Sequence, residues 1–147
     1  MRRLGAAIVI LALGGCASTG PQYIVPADHP LSGTAPAWTP TASDVARAEH
    51  GLRRYLRSLG AQVHNYGNGP SWSRLGDYGR QYVGVMRNGH RVLWINLFAT
   101  DNPFYENGLE QKTLIKLHDC GDCNAEVYYD LDRGTYSDFW ESAPLIK

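Results

Sequence analysis

The chain has 147 residues, enough for one domain of ordinary size and hardly enough for two with separate cores. Fourteen Lys and Arg balance fourteen Asp and Glu, so no basic excess marks a general nucleic-acid binder. A hydrophobic content of 44%, with nine Tyr, four Trp and three Phe, fits a globular chain with a small aromatic-rich core.

Arg2 and Arg3 open the chain with positive charge, residues 4–13 are mostly apolar and uncharged, and Leu13-Gly14-Gly15-Cys16 follows. A charged start, a short apolar run and small residues before a cleavage point describe a secretory signal peptide. The run is about half the length a transmembrane helix needs. The four residues ending at Cys16 resemble the lipobox of bacterial lipoproteins. That resemblance implies cleavage before Cys16, a diacylglyceryl group on its sulfur and acylation of the new amino group. Several acyl chains on one residue give lasting membrane attachment. In such lipoproteins an Asp after the Cys favours the inner membrane. Ala17 stands there, which implies the periplasmic face of the outer membrane. Loss of 1–15 leaves 132 residues and removes Arg2 and Arg3, so twelve basic residues face fourteen acidic ones, a balance of −2. Export adds to the case against a nucleic-acid partner.

Residues 17–40 read as a tether. Pro21, Pro26, Pro30, Pro36 and Pro40 recur among Ser, Thr, Gly and Ala with no strand or helix period. Proline removes backbone donors and biases the chain toward extended polyproline geometry. Tyr23, Ile24, Val25, Leu31 and Trp38 could dock on the domain or touch the membrane surface, and an unstructured spacer is the simpler expectation. The expected organisation is a signal peptide at 1–15, lipidated Cys16 and a Pro-rich tether over 16–40, and one domain over 41–147.

The spacing predicts a helix over 42–59. Val45, Ala48, Leu52, Tyr55, Leu56 and Leu59 form one apolar face. Thr41 and Asp44 have the spacing of a capping box, and Gly60 is a natural stop. Glu49 precedes Arg53 by four residues, a favourable pair. Arg47, Arg53, Arg54 and Arg57 lie off the apolar stripe and read as a solvated face, with anionic lipid as the alternative. Residues 61–66 could form a short strand. Residues 67–79, with Trp72, Arg74, Asp77 and Tyr78 among four glycines and a proline, read as a long loop.

Two β-rich runs, 81–87 and 90–99, flank Asn88-Gly89, which suits a type I′ hairpin turn. The two-residue loop sets the register: Arg87 opposite His90, Val85 opposite Val92, Val83 opposite Trp94 and Tyr82 opposite Ile95. One face carries Val83, Val85, Val92, Trp94 and Phe98. The other carries Tyr82, Met86, Leu93, Ile95 and Leu97. With both faces apolar, the hairpin is expected to be central, with the helix on one side. The tether, the Trp72 loop or a second copy of the chain, giving a homodimer, would cover the other side. A polar loop over 100–112 follows. Residues 113–119 and 125–131 both alternate like strands, 132–134 is a turn and 136–140 is a last strand.

The order of elements predicts an α+β fold, one N-terminal helix packed on a curved antiparallel sheet of four to five strands. It is similar to the cystatin-like and nuclear-transport-factor-like shapes. Residues 125–140, with Val127-Tyr128-Tyr129-Asp130-Leu131-Asp132-Arg133-Gly134-Thr135-Tyr136, resemble the strand, Asp, Gly turn and strand of PepSY-type periplasmic modules. The resemblance covers the last third of the chain. It implies inhibitors or small partner-binding domains, at the level of fold.

Cys120-Gly121-Asp122-Cys123 is the one compact constellation. In an oxidising periplasm the two thiols left after Cys16 is lipidated are expected to pair as a disulfide bracing a hairpin tip. A zinc site using His118, Cys120 and Cys123 is an alternative, although a closed site needs a fourth ligand. A redox dithiol is another, although its first Cys normally sits at a helix N-terminus. Asp119, Asp122, Asp130 and Asp132 read as turn formers without the spacing of an EF-hand. His64, His90 and His118 stand alone. We assign no catalytic residue, metal or cofactor. The expected function is a membrane-anchored lipoprotein whose small periplasmic domain binds a protein or an envelope polymer without catalysis. A metal or thiol-redox factor, or an inhibitor of an envelope hydrolase, is the alternative.

Overall fold

The computed structural model describes residues 20–60, 73–118, 120 and 123–142. Helix α1, Ala42–Ser58, starts where the capping box predicts. Asp44 N–H donates to Thr41 Oγ1 at 3.1 Å, and Thr41 N–H donates to Asp44 Oδ2 at 2.9 Å. Such a cap contributes about 1 kcal/mol. Val45, Ala48, Leu52 and Leu56 are buried along one stripe. Burial of Leu52 and Leu56 contributes roughly 1.5–3 kcal/mol each. Beyond the C-cap Leu59, Gly60 adopts φ +55°, where a side chain would be strained.

Five strands form one sheet in the order β1-β2-β3-β4-β5: β1 Gln22–Val25, β2 Tyr78–Arg87, β3 His90–Ala99, β4 Asn124–Asp130 and β5 Thr135–Glu141. The β2–β3 register is the one set by Asn88-Gly89, with Arg87 opposite His90 and Val83 opposite Trp94. Asn88 and Gly89 both have positive φ, 51° and 79°, as a type I′ turn requires. Among the described residues the fold is thus α+β, with one α-helix and a five-stranded sheet. The sheet is mixed rather than antiparallel, because β1 pairs with β2 in parallel. Residues 22–25, expected within an unstructured tether, form that strand. The helix carries the chain back across the sheet, so the strand on its far side enters in the same direction. The flanking Pro21 and Pro26 limit β1 to four residues and leave an edge that cannot extend. Two other expected elements differ. Strand β2 begins at Tyr78, three residues earlier than predicted, and 113–118 is not a strand. Residues 61–72, with the expected short strand and Trp72, lie outside the described residues.

The helix packs on the inner face, which carries Tyr82, Leu93, Ile95, Leu97, Ala125, Val127 and Tyr129. Tyr136 of β5 locks it there. Its hydroxyl donates to Ala48 O, and its ring stacks 4.8 Å from Tyr55 and lies 4.7 Å from Tyr129. Gly51 is small for that reason: a Cβ there would lie 2.9 Å from the Tyr136 hydroxyl. Glu49 turns inward. Its Oε1 accepts from Arg80 Nε at 2.9 Å and from the Tyr82 hydroxyl at 3.1 Å. Arg80 is 2% exposed and also donates to Tyr78 O and Leu75 O, both at 2.6 Å. A charge so enclosed persists only with its partners in place. Arg47, expected on a solvated face, donates to Leu131 O at 2.6 Å and ties the helix to the end of β4.

Candidate functional site

The outer face of the sheet, opposite the helix, has two halves. One half is roofed by the chain itself. Gln81, Asn96 and Asn124 stand side by side there, each fully buried. Gln81 Nε2 donates to Glu110 O at 2.8 Å and Thr113 O at 2.7 Å. Gln81 Oε1 accepts from Asn96 Nδ2 and from Ile115 N–H, both at 2.9 Å. Asn96 Nδ2 also donates to Ile115 O at 2.8 Å, and Asn124 Nδ2 donates to Asn96 Oδ1 at 2.9 Å. Leu117 N–H closes the row by donating to Asn124 Oδ1 at 3.2 Å. Three carboxamides thus take the place of a neighbouring strand. They satisfy Glu110 O, Thr113 O, both backbone groups of Ile115 and the Leu117 N–H, which would otherwise face the sheet without these partners.

Beside this row, Val25 and Leu31 cover Val83, and Ser32 bridges to Thr113. Trp38 closes the edge of β2, with the N–H groups of Ala37 and Trp38 both donating to Gly84 O and its indole Nε1 donating to Val85 O at 3.1 Å. Tyr105 donates to the buried Glu110 at 2.9 Å. Burial, reinforced by that bond to a carboxylate, pushes the Tyr105 hydroxyl up to about 12.

Among the described residues, nothing roofs the other half of the outer face. Trp94 and Tyr128, directly opposite on β3 and β4, stack with centroids 6.2 Å apart and planes at 11°. The guanidinium of Arg87 lies 4.3 Å from the centre of the Tyr128 ring, and Lys116 Nζ lies 5.8 Å from that of Trp94. A cation therefore stands at each end of the aromatic pair. Each cation has an acid: Arg87 with Asp138 at 2.6 Å and Lys116 with Glu126 at 3.3 Å. Glu126 also accepts from the Trp94 indole at 3.2 Å. Burial raises the Tyr128 hydroxyl above its ordinary value, with the Glu126 charge adding to the rise.

A bulge in β5 builds one side of this strip. Ser137 pairs with Tyr128 and Trp140 with Glu126, so two residues of β5 oppose the single Val127. Asp138 has φ +52° there, a conformation Asp tolerates better than most residues. A regular strand would turn Asp138 toward the helix. The bulge lets its carboxylate reach Arg87 on the outer face. Trp140, paired with Glu126, shares that face and is 46% exposed. An open groove of about 460 Å³ runs between the stack and the 33–35 turn, with Val85 in its floor.

The residues singled out in the sequence are placed elsewhere. Cys120 and Cys123 have their sulfurs at disulfide distance, with Cα atoms 5.6 Å apart, just before β4. His118 is exposed. Cys16, His64, Asp119 and Asp122 lie outside the described residues. Among the described residues, the side chains that converge closely enough to share an ion are His90, Asp130 and Asp132, within 4.8 Å. Both acids are already engaged in turns. Asp130 Oδ1 accepts the N–H groups of Asp132 and Arg133 at 2.9 Å, and Asp132 Oδ2 accepts that of Arg91 at 3.2 Å.

Comparison with protein-family models, curated proteins and solved structures finds no match. The geometry of the outer face is therefore the main basis for a functional reading. Sequence reasoning found Val85 and Trp94 as one apolar face but did not connect them with Arg87, Tyr128, Asp138 and Trp140. The alternation of Tyr128 with Glu126 and Asp130 was the available signal, since it puts all three on one side of β4.

Proposed function

We propose that the protein is a bacterial lipoprotein, anchored through Cys16 at the periplasmic face of the outer membrane, whose domain is a binding module without catalysis. The open half of the outer sheet face is its binding surface. The observation that carries this reading is the strip of half-buried Trp94 and Tyr128 and exposed Trp140 beside a groove, on a face that the described residues otherwise roof. Exposed aromatic patches rimmed by polar groups mark interaction sites in soluble domains. The lipobox-like Leu13-Gly14-Gly15-Cys16 supports the anchor. No helix among the described residues is long and apolar enough to cross a membrane. The cystatin-like or nuclear-transport-factor-like shape belongs to this proposal. The helix-then-meander order supports it, and the parallel β1 departs from it.

A photo-crosslinking residue at position 128 of the full chain, expressed in the cell, tests the module. The expected result is a discrete crosslinked envelope component, absent when the residue is placed at exposed position 133. Equal labelling at both positions would remove the binding surface. The intact mass of the membrane-extracted protein tests the anchor. An acylated chain beginning at Cys16 is expected, and an unmodified chain of 147 residues would remove it.

A further inference from the structure

We infer that the ligand of the open half-face is an uncharged glycan strand of the cell envelope, with Trp140 as its stacking platform. The inference rests on the reading of that face as a binding surface. Charge decides between ligand classes. The strip holds two cations, Arg87 and Lys116, and two anions, Asp138 and Glu126, each cation within salt-bridge distance of one acid. A polyanion such as nucleic acid or a phosphorylated lipid headgroup meets no net positive field there. An apolar peptide segment would strip water from two ion pairs without replacing its hydrogen bonds. A hydroxyl-rich, uncharged polymer incurs neither penalty. Its hydroxyls can donate to the remaining lone pairs of Asp138 and Glu126 and accept from Arg87 while both pairs stay intact.

The aromatic side has matching capacity. Lys116 already lies over Trp94 and Arg87 over Tyr128. Trp140 is the ring of this strip with the most surface left to a ligand, at 46% exposure. Its half-exposed indole can meet the apolar C–H side of a sugar ring.

The test uses the full chain in a detergent that contains no sugar. The probe is a β-1,4-linked tetramer of N-acetylglucosamine, and tryptophan fluorescence is the readout. Saturable binding is expected, weakened about tenfold or more by Trp140→Ala and by Arg87→Ala. Phe104→Ala, at the exposed Phe104 on the loop before β4, should leave it unchanged. Binding should vary little between about 50 and 500 mM salt. Circular dichroism melts of the variants show that each is folded. A steep fall with salt, or loss of binding only in Phe104→Ala, overturns the glycan inference. Failure of the tetramer while position 128 still crosslinks a protein overturns the glycan and keeps the binding module. Failure of both removes the two readings together.

Discussion

The two halves of the outer sheet face differ in how they treat polar groups. In the roofed half, Gln81, Asn96 and Asn124 are shut away from water, and every bond they make goes to the protein's own backbone or to one another. In the open half, Arg87, Lys116, Asp138 and Glu126 hold charged groups towards the surface beside Trp94, Tyr128 and Trp140. Burial makes a polar group a structural commitment, because an orphaned partner costs about 1–3 kcal/mol. Exposure leaves it available to a ligand. The same face thus stabilises the fold at one end and is disposed to recognise a partner at the other.

The largest effect is expected in the roofed half. Asn96→Leu removes the central carboxamide and orphans groups on Gln81, Ile115 and Asn124, so stability should fall by about 3–5 kcal/mol in urea denaturation. A loss below about 1 kcal/mol would break the contrast between the halves. Gly84→Ala comes next. A Cβ there would lie 2.7 Å from the Trp38 indole, so Trp38 must leave the β2 edge, at about 1–3 kcal/mol. An unchanged melting temperature, with Trp38 fluorescence equally unchanged, would show that the 37–40 segment is not held there.

The hydrophobic hairpin and the helix were legible in the sequence because each rests on local rules. Thr41 with Asp44, and Asn88 with Gly89, state their geometry within four residues. The parallel β1 was hidden because its four residues lie between Pro21 and Pro26 and its partner is more than fifty residues away. The roof was misread for a related reason. Ile115 and Leu117 are buried, which produces an alternating pattern, but their N–H groups bond to the side chains of Gln81 and Asn124, so no ladder forms. Of the open strip, Val85 and Trp94 were visible as an apolar face. The placement of Asp138 depends on a bulge that no local signal announces.

Alkaline pH sharpens the comparison further. Tyr82, Tyr136 and Tyr105 have hydroxyls raised by burial, and Tyr128 is raised in the open half. A group whose folded value lies above its unfolded value stabilises the fold fully below the unfolded value. That stability is lost as pH rises through the folded value. Stability should therefore hold up to pH about 10 and fall above it. Absorbance at 295 nm should show these tyrosines ionising late, and Tyr105 near pH 12. Early ionisation of all nine would contradict the buried set. The smallest effect belongs to the open half. Trp140→Ala should change stability by less than about 1 kcal/mol, because the ring is half exposed, while glycan binding weakens about tenfold or more.

Amide hydrogen exchange across 110–117 tests the division of this face most directly. The N–H groups of Ile115 and Leu117 belong to no strand yet donate to buried carboxamides. They should exchange as slowly as those of β3, and Asn96→Leu should release them while leaving the β2–β3 ladder protected. Fast exchange at both positions in the unaltered protein would mean that the roof is not closed and that the two halves of the face are alike.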